Sequence, residues 1–374
     1  MLRPIRITCT ISSLGGGGAE RSLVNLATLL AEKGHEVRLL TFQQQVPDAY
    51  SIPLKVQRCY AEPVVAESCQ WFSLRQQLRR NQALRRSLLS TQPEIIISFI
   101  DSTNVAVLQA MVGTSIPVIV TERTDPRFHD IGLRWQVLRR LSYPLAAQII
   151  VQGEELCSWA RHAWWPSRVY AIPNPIFPPA RSQFSSENRS DLFPQPHTAI
   201  AMGRLHPVKG FDRLIEAFAE IAPRFPDWHL TILGEGELRL QLEAQIAKLG
   251  LGHRISLPGR IDEPANVLGQ ADLFVLSSHY EGFPNAMLEA MACGLPAIAL
   301  DTSSGPRAIV RHNIDGLLVS PTEKNALSKA MADLMADDDK RQNFAARAPE
   351  VLERFSPKRA IAAWEAVIAA SLGL

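Results

Sequence analysis

Two glutamates, Glu281 and Glu289, lie on either side of a predicted helix start, with seven residues between them. The apolar run 272–276 predicts a strand, and the pattern of 285–292 predicts a helix that ends at Gly294. The first amides of a helix lack hydrogen-bond partners and carry partial positive charge. This segment could therefore hold an anion over the helix start, with a carboxylate on either side.

Two cations, Arg204 and Lys209, follow another predicted strand and precede a predicted helix. In a parallel sheet, their loop and the turn that contains Glu281 lie at the same edge. Both cations could neutralise a diphosphate there without a metal ion. The alternative is that both are ordinary solvated side chains on a loop, and their position facing Glu281 argues against it.

A glycine-rich turn, 15–18, lies between the first predicted strand and a helix over 21–33. Its backbone amides could approach an anion at the helix start. The turn does not match a dinucleotide-binding fingerprint, because the third glycine of that pattern falls on Glu20 and no acidic residue ends the strand 37–42. A turn that is needed only for packing is an equally open interpretation.

The elements around these residues alternate between strand and helix in two series, which predicts two parallel α/β sheets. Segment 173–196 is rich in Pro, Ser and Asn and predicts a linker between two lobes. Ligands of such sheets bind outside the carboxyl ends of the strands, here in the expected cleft. The predicted strands are 5–11, 37–42, 94–99, 117–121, 147–151, 169–172, 199–203, 229–233, 254–257, 272–276, one that ends at Leu300, and 316–319.

Composition narrows the class of protein. The 374 residues are 46% hydrophobic and carry a net charge of +2, which suits ordinary globular domains. The five cysteines are scattered, without the paired spacing of a zinc site, and indicate reduced thiols in a cytoplasmic protein. The first residues lack the apolar region of a signal peptide, and no apolar run approaches the ~18 residues of a spanning helix.

Residues 71–89 contain five arginines and no acidic residue. On a helical wheel, Arg75, Arg79 and Arg86 lie next to an apolar stripe. The stripe consists of Trp71, Leu74, Leu78 and Leu89. This pattern is typical of a basic amphipathic helix at an anionic membrane surface, and it could also bind a lipid-linked pyrophosphate. A helix that packs its stripe on its own domain is the alternative.

Residues 134–140 and the tryptophans at 164–165 add basic and aromatic character to the same half of the chain. By counting, the first 180 residues carry about +6 and the remainder about −4. No recognised nucleic-acid-binding module accompanies these arginines, so nucleic acid is a poor candidate partner.

The segment EGFPNAMLEAMACGLPAIA, with GRLHPVKG upstream of it, resembles the retaining GT-B glycosyltransferases of family 4. Further similar motifs are GGGGAERSLVNLA, IPNPI, LGEGELR, LPGR and DGLLVSP, so the resemblance covers nearly the whole chain. It implies two Rossmann-like domains facing each other across a cleft: an acceptor-binding domain over 1–173, a linker over 174–197 and a nucleotide-sugar-binding domain over 198–356. It also implies that the last helix, within about 357–374, crosses back to the N-terminal domain.

The resemblance implies a role for each matching residue. Arg204 and Lys209 would bind the donor diphosphate and stabilise the leaving group, and Glu281 would hold the donor sugar as the third catalytic residue. Glu289 would bind the ribose. The other implied donor contacts are Gly16, Gly17, Gly203, Gly234, Arg260, Gly282, Phe283, Pro284 and Asn285. No metal is needed, and retention would come from attack on the same face of the sugar, with the leaving phosphate oxygen helping to take the proton of the acceptor.

Two positions depart from the family pattern. Many members have a histidine after the strand that here ends at Thr121, where this chain has Arg123 in the segment ERTDP. Some polysaccharide enzymes resemble this form, so Arg123 could face the donor sugar or the acceptor, and we expect His129 to be an ordinary surface histidine. Ala308 stands where the family often has glutamate, so we assign the loop around it no role.

The sequence therefore predicts a retaining glycosyltransferase that requires no cofactor and no metal. It would transfer a hexose or N-acetylhexosamine from a nucleotide-diphosphate sugar, with a UDP-sugar favoured, to a polyprenyl-diphosphate-linked glycan. The expected location is the inner face of the cytoplasmic membrane, bound to its anionic surface. One alternative is a soluble enzyme that acts on a small acceptor such as a sugar phosphate. Another, of a different class, is a sugar-nucleotide-binding regulator without turnover, which the intact set of charged residues argues against.

Overall fold

The chain forms two compact units. Unit 1 contains Met1–Pro175 together with Pro357–Leu374, and unit 2 contains Ile176–Ser356. The computed structural model describes residues 2–62, 74–163, 168–179, 195–261 and 263–374. Most of the predicted linker lies outside the described residues, and so do Trp71 and the tryptophans at 164–165.

Unit 1 is built on a sheet of parallel strands. Its elements before residue 175 are β1 (Arg6–Ile11), α1 (Gly18–Glu32), β2 (Glu36–Thr41), β3 (Val56–Tyr60), α2 (Leu74–Ser90), β4 (Ile95–Phe99), α3 (Asp101–Ala110), β5 (Val118–Thr121), α4 (Leu133–Ser142), β6 (Gln148–Val151), α5 (Glu154–Ala163) and β7 (Val169–Ala171). The strand order is β3-β2-β1-β4-β5-β6-β7. The order reverses between β1 and β4, and such a reversal opens a crevice beyond the carboxyl ends of the two strands.

Both faces of this sheet are covered by helices, as the apolar composition of its strands requires. On one face, α1 buries Leu23, Leu26 and Leu30 against the strands. On the other face, the core includes residues of α2, α3 and α5. Both clusters therefore hold the strands in place and fix the positions of the loops at the carboxyl edge.

Unit 2 repeats this plan with a second parallel sheet. Its elements are β8 (His197–Met202), α6 (Phe211–Ile221), β9 (Trp228–Leu233), α7 (Arg239–Lys248), β10 (Ile255–Gly259), α8 (Pro264–Leu268), β11 (Leu273–Leu276), α9 (Asn285–Ala292), β12 (Ala297–Leu300), α10 (Ser304–Ile309), β13 (Gly316–Val319), α11 (Ala326–Ala336), α12 (Asp338–Arg347) and α13 (Val351–Arg354). The strand order is β10-β9-β8-β11-β12-β13, so the reversal lies between β8 and β11.

The last helix, α14 (Pro357–Leu372), belongs to unit 1 although it follows unit 2 in the chain. It buries Ile361, Trp364 and Ile368 in the same apolar cluster as α1. The chain therefore returns to the first unit through the burial of one face of this helix.

The prediction of two parallel α/β sheets is confirmed. One strand, β3, was not predicted from the sequence, because it lies at the sheet edge and buries only Val56 among its five residues. A strand that is mostly exposed has no apolar run to mark it. None of the described helices combines the length and the apolar character that a membrane span requires.

Candidate functional site

The loops that follow β8 and β11 meet where the strand order of unit 2 reverses. The first loop contains Lys209 and the second contains Glu281. The amide of His279 donates to the carbonyl of Val208 at 2.7 Å, and the hydroxyl of Ser277 donates to the carbonyl of Lys209 at 2.8 Å. One backbone contact and one contact from a side chain to the backbone therefore hold the two loops together.

Lys209 and Glu281 form an ion pair at this edge of the sheet. Lys209 Nζ lies 2.6 Å from Glu281 Oε1, and the hydroxyl of Ser278 donates to the same oxygen at 2.7 Å. Both charged side chains are largely buried. An ammonium group has three donors, so the pair still leaves Lys209 able to bind a second anion. The fold thus holds a cation and a carboxylate side by side.

Arg204 extends from the same loop into solvent. The next residue, Leu205, is fully buried, and its amide donates to the carbonyl of Glu235 at 2.9 Å. The described part of the chain gives the Arg204 guanidinium no ion-pair partner. An exposed guanidinium beside the Lys209 loop is available for an anionic ligand, and its planar fork suits phosphate oxygens.

Close approach of backbones explains two of the predicted glycines. Gly234 follows β9 with φ of +141°, and a Cβ there would overlap the carbonyl oxygen of Gly203 after β8. The amide of Gly234 donates to the carbonyl of Gly259 at 2.8 Å. The ends of three strands are therefore drawn together, and the predicted contact residue Arg260 follows them as an exposed side chain.

The start of α9 completes this edge. Pro284 is the N-cap residue, and a proline side chain has no oxygen that could accept a hydrogen bond from the first helical amides. Phe283 is buried and packs edge-on against Phe355, with ring centroids 5.5 Å apart. The Phe283 ring is therefore held inside unit 2, and this residue can offer a ligand only its backbone. Glu289 lies one turn further on and is partly buried.

Ser303 is a residue of this site that sequence reasoning missed. Its hydroxyl accepts a hydrogen bond from the amide of Glu281 at 3.0 Å and donates to the carbonyl of Glu281 at 2.8 Å. Beside it, a Cβ on Gly305 would lie 2.8 Å from the carbonyl oxygens of Glu281 and Gly282. The loop that was assigned no role therefore supports the turn that carries the site.

The glycine-rich turn of unit 1 lies at the carboxyl end of β1 and leads into α1. Gly16 has φ of +107°, and Gly17 is the N-cap residue of α1. The hydroxyl of Tyr50 donates to the carbonyl of Gly17 at 3.1 Å. The carboxylate of Glu20 lies over Gly17, at the place where a Cβ would otherwise project. An anion that approaches this helix start would therefore meet the Glu20 side chain.

Arg123 lies at the carboxyl edge of the unit 1 sheet, just after β5. Its guanidinium stacks over the ring of Phe99, with Cζ 3.9 Å from the ring centroid, and Nη1 donates to Asn174 Oδ1 at 2.8 Å. Burial lowers the pKa of Arg123 to about 9. The structure thus holds a desolvated guanidinium in a fixed orientation between the ends of three strands.

The residue before Arg123, Glu122, belongs to a buried polar network. Glu122 accepts a short hydrogen bond from the hydroxyl of Tyr143, and Asn104 Nδ2 donates to that hydroxyl at 3.1 Å. Burial raises the pKa of Glu122 to about 7, although Arg139 Nη1, 3.6 Å from its carboxylate, opposes the shift. Burial likewise raises the pKa of Tyr143, so that its hydroxyl remains a donor.

Two further predicted positions belong to unit 1. His129 Nε2 lies 3.6 Å from Asp101 Oδ2, at the start of α3. Arg75, Arg79 and Arg86 are exposed on α2. Helix α2 packs on its domain through Leu84 and Leu88, and two residues of the predicted stripe, Leu78 and Leu89, are exposed.

Among the described residues, no group of three or more His, Cys, Asp or Glu side chains is arranged to hold a metal ion.

The two parallel α/β units have the fold of the GT-B glycosyltransferases, and comparison with known proteins assigns the chain to a family. Residues 16–178 match the family model described as Glycosyltransferase Family 4, and residues 183–351 match the model described as Glycosyl transferases group 1. The chain belongs to this family of glycosyltransferases.

Two curated relatives match this chain over nearly their full lengths. A Campylobacter jejuni enzyme, GalNAc-alpha-(1->4)-GalNAc-alpha-(1->3)-diNAcBac-PP-undecaprenol alpha-1,4-N-acetyl-D-galactosaminyltransferase, is 26% identical over 367 residues, which cover 98% of both chains. The amylovoran biosynthesis glycosyltransferase of Erwinia amylovora is 24% identical, with 94% of this chain and 96% of that relative covered.

Solved structures show the same fold. Sucrose-phosphate synthase from Thermosynechococcus elongatus matches with a TM-score of 0.80 at 19% identity, over 98% of this chain and 100% of that chain. The Anabaena protein HepE, solved in complex with UDP, matches with a TM-score of 0.78 at 18% identity, over 97% of this chain and 99% of that chain.

Proposed function

We propose that this glycosyltransferase transfers a hexose or N-acetylhexosamine from a UDP-sugar to a polyprenyl-diphosphate-linked glycan, with retention of configuration and without a metal ion. The observation that carries the proposal is the contact between Lys209 and Glu281, beside the exposed Arg204 and the start of α9. A cation and a carboxylate at one sheet edge suit a donor that has a diphosphate at one end and sugar hydroxyls at the other.

The cations act on the leaving group. When the bond between the anomeric carbon and the phosphate oxygen breaks, negative charge develops on the diphosphate. Arg204 and Lys209 would stabilise this charge as it develops, and the first amides of α9 would add to the effect. The acceptor hydroxyl would lose its proton to the leaving phosphate oxygen as the new glycosidic bond forms on the same face of the sugar. These two side chains would supply the positive charge that a metal ion supplies elsewhere.

The carboxylates orient the rest of the donor. Glu281 would accept hydrogen bonds from the sugar hydroxyls, and its backbone is fixed by Ser303. Glu289, on the helix that starts beside Glu281, would accept hydrogen bonds from the ribose. The backbones around Gly234 and Arg260 would enclose the base. A UDP-sugar is the favoured donor because related folds have been solved with UDP.

The proposed acceptor is a lipid-linked glycan. Two Campylobacter jejuni relatives carry names with diphospho-undecaprenol or PP-undecaprenol acceptors, at 26% identity each. Unit 1 supplies exposed arginines on α2, Arg75, Arg79 and Arg86, that could bind a pyrophosphate or an anionic membrane. The stacked guanidinium of Arg123 is the further candidate for an acceptor or sugar contact. A soluble acceptor such as a sugar phosphate is the second candidate, because a phosphate would suit the same arginines.

A thermal-shift series tests the donor. The purified protein is heated with UDP-, GDP- and ADP-sugars in the presence of EDTA. A ligand at about 100 times its Kd stabilises the folded state by about 3 kcal/mol, so the UDP-sugar should raise Tm by several degrees. A shift with GDP- or ADP-sugars alone would overturn the choice of base, and a shift that appears only when Mg²⁺ replaces EDTA would overturn metal independence.

Transfer assays test the site and the acceptor. Lys209→Ala and Glu281→Ala should abolish transfer while Tm stays within a few degrees of the wild type. The matched control is Lys329→Ala, which removes a lysine from an exposed ion pair with Glu323 in the same unit. Turnover with a short polyprenyl-diphosphate glycan but not with a sugar phosphate would support the lipid-linked acceptor, and the reverse would favour the second candidate. The anomeric configuration of the product, read by NMR, decides retention.

A further inference from the structure

Helix α4 of unit 1 presents a stripe of large apolar side chains to solvent. Leu133, Val137 and Leu141 are 77%, 49% and 68% exposed. Their spacing of four residues places them on one side of the helix over about 12 Å. Single exposed apolar residues are ordinary on protein surfaces, but a contiguous set marks an interaction surface.

The opposite side of α4 attaches the helix to its own unit. Arg139 and Ser142 are buried, and Leu138 packs against the apolar core. Arg139 Nη1 lies 3.6 Å from the buried Glu122 carboxylate, which fixes the rotation of the helix about its axis. The exposed stripe is therefore not the face that the fold of unit 1 uses for packing.

Arginines border the stripe on both sides. At 100° per residue, Arg134 lies beyond one margin of it and Arg140 beyond the other, and both are exposed. The helix contains no acidic residue. The carboxylate just before it, Asp130, accepts hydrogen bonds from the amide of Gly132 at 2.8 Å and from Gln136 Nε2 at 3.3 Å, so it caps the turn that starts the helix.

We propose that α4 is the element through which unit 1 binds an anionic lipid bilayer. The stripe would enter the boundary between headgroups and acyl chains, while the aliphatic stems of the arginines lie along that surface and their guanidinium groups contact lipid phosphates. This inference adds a membrane-binding element to the proposed function. It rests on that function in one respect only, namely that the acceptor is linked to a lipid.

Charge decides which occupant covers the stripe. Pairing with a second copy through the same face would bring the arginines of one copy close to those of the other, and this repulsion costs energy. A bilayer with anionic lipids offers negative charge along the whole rim and an apolar interior at its centre. The partner that complements both the apolar stripe and the arginines beside it is therefore an anionic membrane.

Helix α2 has a different role from α4 at this surface. Its exposed leucines, Leu78 and Leu89, are eleven residues apart and do not form a continuous stripe. Arg75 and Arg79, on either side of Leu78 in the sequence, are exposed. Helix α2 would therefore interact with the membrane mainly through its positive charges. Helix α3 contacts both α2 and α4. In this arrangement α4 inserts, and α2 adds attraction to the headgroups without inserting.

Vesicle co-sedimentation of the full chain tests the proposal. Wild-type protein should bind vesicles of phosphatidylglycerol and phosphatidylcholine, and binding to phosphatidylcholine alone should be weak. The double substitution Leu133→Gln/Leu141→Gln should lower the partition coefficient at least about ten-fold, even at low salt. Arg134→Gln/Arg140→Gln should lower it too, with a weaker dependence on salt than the wild type shows.

Matched controls come from unit 2. Leu240→Gln changes a leucine that is 79% exposed on α7, and Lys248→Gln/Lys324→Gln removes two exposed cations. Both should bind vesicles like the wild type. Equal binding by the leucine double variant and the wild type would overturn the proposal, as would a wild type that does not bind anionic vesicles. A wild-type dimer that the leucine substitutions convert to a monomer would also overturn it, in favour of self-association.

Transfer to a water-soluble, short-chain acceptor separates this inference from the proposed function. The leucine double variant should keep its kcat on that acceptor and lose turnover on an acceptor embedded in vesicles. A chain that binds vesicles through α4 but transfers no sugar from any nucleotide would leave the membrane inference intact and overturn the proposed function.

Discussion

The hydroxyl of Ser303 contacts Glu281 twice, as an acceptor from its amide at 3.0 Å and as a donor to its carbonyl at 2.8 Å. The two contacts fix the backbone on both sides of the Glu281 Cα. From this fixed backbone the carboxylate reaches Lys209 at 2.6 Å. A loop 22 residues further along the chain thus determines where the carboxylate of the site points.

Removal of this hydroxyl should slow transfer more than it destabilises the fold. Ser303→Ala leaves the Glu281 amide without its partner in a part-buried position, which costs up to about 1–3 kcal/mol. If about 1.4 kcal/mol of that cost falls on the transition state, kcat drops about ten-fold while Tm falls by only a few degrees. Ser303→Thr keeps the hydroxyl and should recover most of the rate.

The control for this prediction is Ser320→Ala, which removes an exposed hydroxyl whose contact is with Thr322. It should leave kcat and Tm unchanged. A Ser303→Ala enzyme with wild-type kcat would show that Glu281 keeps its position without Ser303.

The second prediction concerns the close approach of the Gly234 backbone to the Gly203 carbonyl. Gly234→Ala places a Cβ against the Gly203 carbonyl in a backbone conformation, φ of +141°, that side chains disfavour. Strain of this kind costs on the order of 1–3 kcal/mol, and the β8 loop that carries Arg204 should shift. We expect a lower Tm and a loss of the thermal shift with the donor.

Gly252→Ala is the matched glycine substitution in the same unit, because a Cβ there meets no atom within 4 Å. It should be neutral or stabilise the fold by about 0.4–1 kcal/mol, because alanine reduces the conformational entropy of the unfolded chain. Equal effects of the two substitutions on donor binding would show that the contact between Gly234 and Gly203 does not position the donor-binding loop.

Arg123 carries a third prediction. Its guanidinium lies over the ring of Phe99 and donates to Asn174, and a lysine has neither the planar group nor the fork of donors. Arg123→Lys should therefore raise the KM of the acceptor or the donor at least about ten-fold, although it keeps the charge. The comparison is Arg85→Lys, whose guanidinium bonds the carbonyl of Val112 at the surface. Unchanged KM values in Arg123→Lys would limit Arg123 to a packing role.

Several features of the fold could be read from the sequence because they depend on neighbouring residues. Apolar runs marked most strands, and the period of 285–292 marked α9 with the bounds that the structure shows. The rule that carboxyl ends of parallel strands share an edge brought the Lys209 and Glu281 loops together. These inferences needed only local patterns and one rule of sheet topology.

Other features depend on contacts between distant parts of the chain, which no local pattern contains. Ser303 is an uncharged residue in the loop between β12 and α10, and nothing in its segment indicates a contact with Glu281. Glu122 is a buried carboxylate whose partner, Tyr143, is 21 residues away. The carboxylate of Glu20 over Gly17 depends on a rotamer, and that too is invisible in the sequence.

The buried Glu122 makes stability depend on pH. Its pKa rises to about 7 in the folded state, from an ordinary value of 4.5, because burial disfavours the charged carboxylate. The folded state therefore binds the proton more tightly than the unfolded state does. The contribution of this group to the free energy of unfolding is fully present below pH about 4.5. It decreases by on the order of 3 kcal/mol as the pH rises from about 4.5 through about 7.

Glu122→Gln removes this titration while its side-chain oxygen still accepts from Tyr143. The free energy of unfolding of the variant minus that of the wild type should therefore increase from pH 4.5 to pH 7 and then stay constant, as measured by denaturant titration at each pH. Tyr143→Phe should do the opposite: it removes the donor that stabilises the ionised carboxylate, so it should cost more stability at pH 8 than at pH 5. Parallel stability curves for Glu122→Gln and the wild type between these values would mean that Arg139 and Tyr143 fully offset the cost of burying the charge.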